Sequence, residues 1–325
     1  MKPIATLTLN PAIDGAAEAE QVRPIRKIRT SNERYFPGGG GINVARVVRE
    51  LGGSALALYL SGGVPGPLLD ALLDATGIPA KRIPIADHTR ISHVVFERST
   101  GLEYRFVPEG PEIAPAEWQA ALDAVRELDF AYIVASGSLP PGVPADFYVR
   151  VAAIAAEKRA KLVLDSSGEA LRRTLGRGVL LVKPSLGELE SIVGKPLRDP
   201  ASQEREAVAL ARSGAAEIVA VTLGSEGALL ATRDGTLRLA PPPVEAKSAV
   251  GAGDSFVGAM TLALAQGRAV EDAFALGLCA GSAAVLSVGT ELCKREDVER
   301  LYAALPPAPR LASPASPVAP SRAEH

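Results

Sequence analysis

The feature that most constrains the fold is an alternation of strand-like and helix-like segments. Short runs of β-branched and aliphatic residues are separated by longer segments with helical periodicity. Strands that are separated by helices pair in parallel through right-handed crossovers. The sequence therefore predicts an α/β fold, a doubly wound three-layer α/β/α sandwich. The predicted buried strands cover residues 4–9, 55–60, 132–135, 162–165, 179–182 and 218–223.

Size and composition are those of an ordinary soluble domain. The chain has 325 residues, 47% of them hydrophobic, which is enough for one large core over residues 1–305. Its formal net charge of -2 gives no reason to expect binding to nucleic acid or to a membrane. The most apolar run, residues 273–288, is too short to span a bilayer. Residues 306–325 contain six prolines and no apolar periodicity, so we predict a disordered tail.

Cysteine usage indicates a reducing compartment. Cys279 and Cys293 lack the spacing of a metal site, and three histidines accompany them. Neither zinc nor a disulfide framework is therefore supported, and a cytoplasmic location fits best.

Two basic segments stand outside the alternation. Residues 22–36 interleave arginine and lysine, and residues 89–107 interleave arginine, with β-branched and aromatic residues. A solvated edge hairpin would explain the first segment, whereas two such segments together suggest a small accessory β-sheet. If that sheet covers a site, Lys27, Arg90 and Arg105 could bind a substrate phosphate.

Four consecutive glycines, Gly38 to Gly41, lie between these basic segments. A flexible linker would be the default explanation, but the run leads directly into an amphipathic helix. That context favours a backbone that closely approaches a ligand, with Asn43 on the first helical turn as a contact to hydroxyl groups. The run has neither the Walker A pattern nor the Gly-x-Gly-x-x-Gly pattern.

A second glycine motif, Gly251-Ala252-Gly253-Asp254, also precedes an apolar helical segment. Backbone N–H groups that converge at a helix N-terminus favour an anion there. Asp254 is either a helix cap or a catalytic base beside that anion site.

Polar residues follow several of the other predicted strands. Asp14 follows the first strand in a turn, where it is either a loop carboxylate or a ligand contact, since open α/β sheets bind ligands at the carboxyl ends of their strands. Glu188 is most simply the acid of a first helical turn. Gly224 and Gly227 form a turn that could admit a nucleotide phosphate.

Residues 37–46, 136–143 and 250–261 together resemble the two signature regions and a central turn of the PfkB (ribokinase-like) carbohydrate kinases. The resemblance extends from about residue 4 to residue 305. It implies ATP-dependent phosphoryl transfer to a sugar-phosphate hydroxyl. It is strongest to the branch that phosphorylates the 1-hydroxyl of fructose 6-phosphate to fructose 1,6-bisphosphate, a reaction of glycolysis.

The resemblance also implies a role for each matching position. Asp254 would be the base, with the N–H groups of Gly251, Ala252 and Gly253 as the anion hole. The implied sugar-phosphate contacts are Asp14, Gly39, Asn43, Arg90, Arg105 and Ser138, with Lys27 reaching the sugar phosphate of a neighbouring subunit in a homodimer formed by the accessory sheets. The implied nucleotide contacts are Lys183, Ser185, Thr222, Gly224, Gly227, Gly281 and Ser282.

Two metal sites are implied in the same way. Glu188 would order Mg²⁺ through water. A monovalent cation, by similarity to members that use potassium, would lie near Ser248, Val250, Ser287 and Gly289. One departure stands out, because the family commonly has Asn-x-x-Glu where this chain has Ser185-Leu186-Gly187-Glu188. The shorter hydroxyl of Ser185 would change how the metal and the phosphates are positioned.

Several alternative functions remain open at this point. The family's 1-phosphofructokinases and tagatose-6-phosphate kinases share the scaffold, although the first usually have a lysine within the glycine run. A nicotinamide-dependent oxidoreductase would need Gly-x-Gly-x-x-Gly after the first strand, where Asn10-Pro11-Ala12-Ile13-Asp14 stands instead. A non-catalytic sugar-phosphate sensor is the third alternative.

Overall fold

The structure is a computed structural model that describes residues 2–287 and 291–311. In chain order the strands are β1 (Ile4–Thr8), β2 (Ala12–Ala19), β3 (Thr30–Gly38), β4 (Ala55–Gly62), β5 (Ala80–Ile85), β6 (Arg90–Glu97), β7 (Leu102–Phe106), β8 (Tyr132–Ser136), β9 (Lys161–Asp165), β10 (Val179–Val182), β11 (Ile218–Thr222), β12 (Ala228–Thr232) and β13 (Gly235–Leu239). The helices are α1 (Gly40–Glu50), α2 (Gly66–Asp74), α3 (Pro115–Glu127), α4 (Phe147–Glu157), α5 (Gly168–Thr174), α6 (Leu186–Val193), α7 (Pro200–Arg212), α8 (Ala252–Ala265), α9 (Val270–Ala284) and α10 (Arg295–Ala304).

The central sheet has nine strands in the order β13-β12-β11-β10-β9-β8-β1-β4-β5. Seven neighbouring strands, from β11 to β5, pair in parallel, and β12 and β13 add an antiparallel edge. Successive residues of a strand face opposite sides of the sheet, so Ile4 and Leu7 contribute to different cores. Helices α3 to α7 cover one face, and α1, α2, α8 and α9 cover the other. The predicted three-layer α/β/α sandwich is confirmed.

A separate four-stranded sheet, in the order β3-β2-β6-β7, forms the accessory layer, which we call the lid. The second basic segment forms two of its strands, as predicted. In the first segment only residues from Thr30 onward are strand, and residues 20–29 form a connecting loop. The lid also contains β2, which the sequence did not indicate. Asp14 therefore lies within a lid strand and not in a turn after β1.

Three further strands and one helix were not predicted. These are β5, β12, β13 and α7. β12 and β13 form a hairpin after β11 and have antiparallel partners, so the rule that strands alternate with helices does not reach them.

The end of the described chain lies against α9. Arg310 forms ion pairs with Glu271 (3.3 Å) and Asp272 (2.7 Å), and the Leu311 side chain packs on the core beneath. We did not anticipate these contacts for residues 306–311. Residues 312–325 of the predicted tail lie outside the described part. Within residues 2–287 and 291–311, no helix is both long and apolar enough to span a bilayer.

Candidate active site

The glycine run holds the backbone of β3 and α1 against its neighbours. A Cβ atom on Gly38 would overlap the carboxylate of Asp14, and one on Gly40 would overlap the hydroxyl of Ser136. Gly39 has φ 107°, a conformation that side chains disfavour. The run is therefore not a linker. It allows the lid strand, the main sheet and α1 to meet at one point, and the predicted close approach of this backbone to a ligand stays a prediction.

A polar cavity of about 310 Å³ opens at this junction, between the lid and the carboxyl ends of the central strands. Almost all of the predicted sugar-phosphate contacts line it, together with Asp254. Those residues are Asp14, Gly39, Asn43, Arg90, Arg105 and Ser138. We call it the sugar-side cavity.

The guanidinium of Arg90 is held at the base of the lid. Its Nη1 donates to the carbonyl of Pro108 (2.9 Å) and its Nη2 to the carbonyl of Asn10 (2.8 Å). The Nε atom is buried and has no partner within the described residues. These two hydrogen bonds fix the position of the Arg90 guanidinium at the edge of the sugar-side cavity.

A second cavity, of about 530 Å³, lies on the other side of the α8 N-terminus. Its lining is largely apolar and includes Pro241 to Val244, Phe256 and Leu278. Of the predicted nucleotide contacts, Thr222, Gly224, Gly227, Gly281 and Ser282 line it, whereas Lys183 and Ser185 do not. We call it the nucleotide-side cavity.

The first turn of α8 separates the two cavities. Gly251 and Asp254 line the sugar-side cavity, whereas Ala252 and Gly253 line the nucleotide-side cavity. Gly251 precedes the helix with φ 74°, which favours glycine. Positive charge from the helix dipole and free backbone N–H groups are thereby concentrated at the boundary between the cavities.

Asp254 is half-buried at that boundary. Its Oδ2 accepts a hydrogen bond from Nδ2 of Asn43 at 2.9 Å. Burial, together with the charge of Asp165, raises the pKa of Asp254 to about 7, while Asn43 and Lys183 oppose the change. A carboxyl group with a pKa near neutrality is suited to accept a proton in a reaction. No side chain caps α8 at Gly251, so Asp254 is an acid of the first turn and not the cap residue.

Asp14 faces Asp254 across the cavity from the lid. Burial raises the pKa of Asp14 to about 6, against the attraction of Arg90, Arg46 and Arg105. Two arginines, Arg90 and Arg105, and four acids, Asp14, Asp165, Glu188 and Asp254, line this cavity, so cations for a phosphate and acceptors for hydroxyl groups lie together.

Lys183 follows β10 and contacts Asp165, a residue that the sequence did not single out. The Nζ atom lies 3.1 Å from Oδ1 of Asp165, and both side chains are largely buried. Burial lowers the pKa of Lys183, but the negative charges of Asp165, Glu188 and Asp254 outweigh it and the pKa is raised. The ammonium group also lies close to Gly253. A fixed positive charge is therefore present beside the α8 N-terminus. The sequence feature that could have indicated Asp165 is its place as an acid at the end of a buried strand.

Ser185 and Glu188 form a capping box at the start of α6. The Ser185 Oγ accepts from the N–H of Glu188 at 3.3 Å, and Glu188 Oε2 accepts from the N–H of Ser185 at 2.7 Å. Serine is a favoured N-cap residue, so Ser185 has a structural role at the start of this helix. Glu188 also lines the sugar-side cavity.

Among the remaining predicted positions, Lys27, Ser248 and Ser287 line neither cavity. Lys27 lies in the exposed loop 20–29 and lines neither cavity. Ser248 donates to Glu103 of the lid at 3.1 Å, and Ser287 donates to the carbonyl of Leu292 at 3.3 Å. Val250 lines the sugar-side cavity, and Gly289 lies outside the described residues. Among the residues that the structure describes, no three His, Cys, Asp or Glu residues cluster as a metal site.

A three-layer sandwich with a β-lid, a charged cavity, an apolar cavity and a helix N-terminus between them defines a small-molecule phosphotransferase of the ribokinase-like fold. The chain belongs to the pfkB family of carbohydrate kinases, whose family model matches residues 8–297. It is thus a sugar kinase, and the nicotinamide-dependent alternative is set aside.

Individual relatives and solved structures agree with this membership. The chain is 47% identical over 301 residues to the ATP-dependent 6-phosphofructokinase isozyme 2 of Mycobacterium tuberculosis, covering 92% of this chain and 88% of the relative. It is 30% identical to the 1-phosphofructokinase of Borreliella burgdorferi, covering 92% and 96%. The phosphofructokinase-2 of Escherichia coli in complex with fructose-6-phosphate superimposes with a TM-score of 0.88 at 39% identity, covering 93% and 99%. The same enzyme in complex with potassium has a TM-score of 0.90 at 40% identity, with the same coverage.

Proposed function

We propose that the protein is an ATP-dependent 6-phosphofructokinase, which phosphorylates the 1-hydroxyl of fructose 6-phosphate to fructose 1,6-bisphosphate in glycolysis. The observation that carries this proposal is the position of Asp254, between a charged cavity and an apolar cavity at one helix N-terminus. The higher identity to a 6-phosphofructokinase (47%) than to a 1-phosphofructokinase (30%) supports the choice of acceptor.

The acceptor sugar would occupy the sugar-side cavity. Arg90 and Arg105 of the lid supply the positive charge for its phosphate. Asp14, Asn43 and Ser138 supply acceptors and donors for the hydroxyl groups. The carboxylate of Asp14 fits only because position 38 is glycine.

ATP would occupy the nucleotide-side cavity. The apolar wall of Val244, Phe256 and Leu278 suits the adenine ring, and Gly281 and Ser282 of α9 lie beside it. Thr222, Gly224 and Gly227 lie at the end of β11, where their backbone can approach the phosphates. The γ-phosphate would then lie at the α8 N-terminus.

Asp254 would accept the proton of the attacking hydroxyl. The N–H groups of Gly251, Ala252 and Gly253 and the charge of Lys183 would stabilise the negative charge of the transferring phosphoryl group. Phosphoryl transfer depends mainly on positioning and on charge stabilisation. The position of these groups around one helix N-terminus serves both purposes.

Glu188 is the residue that we assign to Mg²⁺, which neutralises phosphate charge when bound. Its Oε2 serves the capping box, so Oε1 is the atom assigned to a metal-bound water. A potassium ion is proposed near Ser248, Val250 and Ser287, on the strength of the E. coli structure with potassium. Ser185 would contact the nucleotide only in addition to its capping role.

The lid suggests a homodimer. Tyr35, Ile91 and Phe106 are apolar lid residues exposed by more than a third of their surface. Such residues on a sheet face are typical of an interface. Lys27 would reach the partner's sugar phosphate from the exposed loop 20–29. The buried, unpaired Cys279 and Cys293 fit the cytoplasm that we propose as the location.

A side-by-side assay of three acceptors with MgATP tests the proposal. We expect the highest kcat/KM with fructose 6-phosphate, above fructose 1-phosphate and tagatose 6-phosphate. A preference of about ten-fold or more for either of the other two, roughly 1.4 kcal/mol of transition-state binding, would reassign the enzyme to the related 1-phosphofructokinases or tagatose-6-phosphate kinases. No turnover of any of the three, with tight sugar-phosphate binding, would support the non-catalytic sensor.

A further inference from the structure

Arg46 is a charged residue of α1 that the proposed mechanism does not yet use. It lies one turn after Asn43, on the same face of the helix. Its Nη1 donates to the carbonyl of Pro37 and to Oδ1 of Asn43, both at 3.1 Å, and its guanidinium lies 5.8 Å from the ring centre of Phe36. A guanidinium held from three sides in the interior is fixed in place.

Two hydrogen bonds connect Arg46 to Asp254 through Asn43, and in both the donor lies on the Arg46 side. A guanidinium only donates and an ionised carboxylate only accepts. The amide between them must turn its oxygen to Arg46 and its NH₂ group to Asp254, as the structure shows with Nδ2 of Asn43 at 2.9 Å from Oδ2. Arg46 thus removes the alternative amide orientation, in which Oδ1 of Asn43 would face the carboxylate.

The hydrogen bonds from Arg46 through Asn43 make the two oxygens of Asp254 different. A proton on Oδ2 would occupy one of the two lone pairs of that oxygen and weaken it as the acceptor of the hydrogen bond from Asn43. A proton on Oδ1 leaves the hydrogen bond to Asn43 intact. The amide orientation therefore favours protonation at Oδ1.

We propose that Arg46 is a positioning residue that acts through Asn43 to hold Oδ2 of Asp254, so that Oδ1 takes the proton from the substrate hydroxyl. The O–H bond of the hydroxyl breaks, its proton goes to Oδ1, and the oxygen forms the new bond to phosphorus as the bond to the leaving ADP breaks. The inference rests on the proposed role of Asp254 as base, and it adds a residue that touches neither substrate.

Charged side chains from several helices and strands surround the hydrogen-bonded residues Arg46, Asn43 and Asp254. Asp254 faces Asp165, Lys183 and Asp14, and Arg46 faces Asp14, Asp254 and Glu291. Arg46 is thus a cation shared by two carboxylates of the sugar-side cavity. Removal of the Arg46 charge favours the protonated form of Asp254. As the pH is lowered, activity should therefore begin to fall at a higher pH in the variant than in the wild type.

Three variants and one control test the proposal. Arg46→Met and Arg46→Gln remove the charge and Arg46→Lys keeps it, while Arg49→Met removes an exposed arginine of the same helix. We expect both neutral variants to lower kcat by about 10- to 100-fold, the usual effect of a misaligned group, with a smaller change in KM. The acid limb of the kcat profile should move to higher pH. Arg46→Lys should stay within about ten-fold of the wild type, because lysine also only donates, and Arg49→Met should not differ from it.

A double-mutant cycle decides whether Arg46 acts through Asn43. In an Asn43→Ala background, a neutral substitution at Arg46 should change kcat by less than about three-fold, because the group that it orients is gone. Effects that multiply, or an acid limb that does not move in a folded neutral variant, would overturn the proposal. If Arg46→Met does not fold, Arg46→Gln carries both comparisons.

The Asp254→Asn variant separates this inference from the proposed function. Near wild-type turnover in Asp254→Asn would show that Asp254 is not the base, independently of any effect of Arg46. An inactive Asp254→Asn together with multiplying effects of Arg46 and Asn43 would contradict the positioning role alone.

Discussion

The Nζ atom of Lys183 lies 3.1 Å from Oδ1 of Asp165, and the pair is buried beneath the point where the two cavities meet. Removing one partner of a buried pair leaves an uncompensated charge, whereas exposed pairs are worth little. The stability of the core and the charge beside the α8 N-terminus thus depend on the same pair.

Asp165→Asn should therefore destabilise the protein by about 3 to 5 kcal/mol, measured by urea unfolding. Glu217→Gln is the matched control, because Glu217 pairs with Lys161 of the same strand at 3.5 Å with both side chains at least half exposed. The control should cost less than about 1 kcal/mol. Equal losses in the two variants would show that the buried pair has no special weight.

Gly38→Ala should disturb Asp14, whose carboxylate occupies the space of the new methyl group. Overpacking of this kind costs about 1 to 3 kcal/mol, and a displaced Asp14 should raise the KM for the sugar phosphate more than the KM for ATP. In an Asp14→Ala background, which removes the obstacle, the stability cost of Gly38→Ala should largely disappear. If Gly38→Ala still destabilises the protein in that background, the new methyl group must clash with a residue other than Asp14.

The raised pKa of Asp254 predicts how stability changes with pH. Its pKa is about 7 in the folded state, against 3.8 ordinarily, so the folded state binds the proton more tightly. The contribution of this group to the free energy of unfolding is then largest below about pH 4 and is lost as pH rises toward 7. Asp254→Asn, which mimics the neutral form, should be more stable than the wild type by about 2 to 4 kcal/mol at pH 8.

Urea unfolding at pH 5 and pH 8 checks this prediction. The advantage of Asp254→Asn over the wild type should shrink at pH 5. Asp123→Asn, on the exposed face of α3, should change stability by less than about 1 kcal/mol at both pH values. A variant that is less stable than the wild type at pH 8 would contradict the raised pKa.

Glu188→Gln separates the helix cap from the proposed metal role. Glutamine at this position also completes a capping box, so the free energy of unfolding should change by less than about 0.5 kcal/mol. The Mg²⁺ concentration that gives half-maximal activity should rise by about ten-fold, as expected for loss of an outer-shell metal partner. Glu190→Gln in the same helix should leave that concentration unchanged, and an unchanged value in Glu188→Gln would refute the assignment.

The core and most of the cavity lining could be predicted from local pattern. Buried strands such as β10 and β11 are continuous apolar runs, and their order with the intervening helices determines a parallel sheet. The glycines of the run and of the α8 motif indicate unusual backbone conformations. They therefore drew attention to the polar residues beside them, Asn43 and Asp254. These are features that a short stretch of sequence expresses by itself.

The missed features depend on distant partners. β2 consists largely of alanine, glycine and acidic residues and is a strand because β3 and β6 pair with it on both sides. Asp165 matters through Lys183 on the neighbouring strand's end, and Arg46 through a three-residue chain to Asp254. In each case the role arises from contacts across the fold that no local pattern reports.

The turnover number of Asp254→Asn with fructose 6-phosphate and MgATP tests the central claim most directly. The substitution keeps the size of the side chain and removes its ability to accept the hydroxyl proton, so kcat should fall by about two to four orders of magnitude, the usual worth of a general base. Binding of fructose 6-phosphate, followed by calorimetry, should survive. Turnover near that of the wild type would show that Asp254 is not the base and would contradict the account.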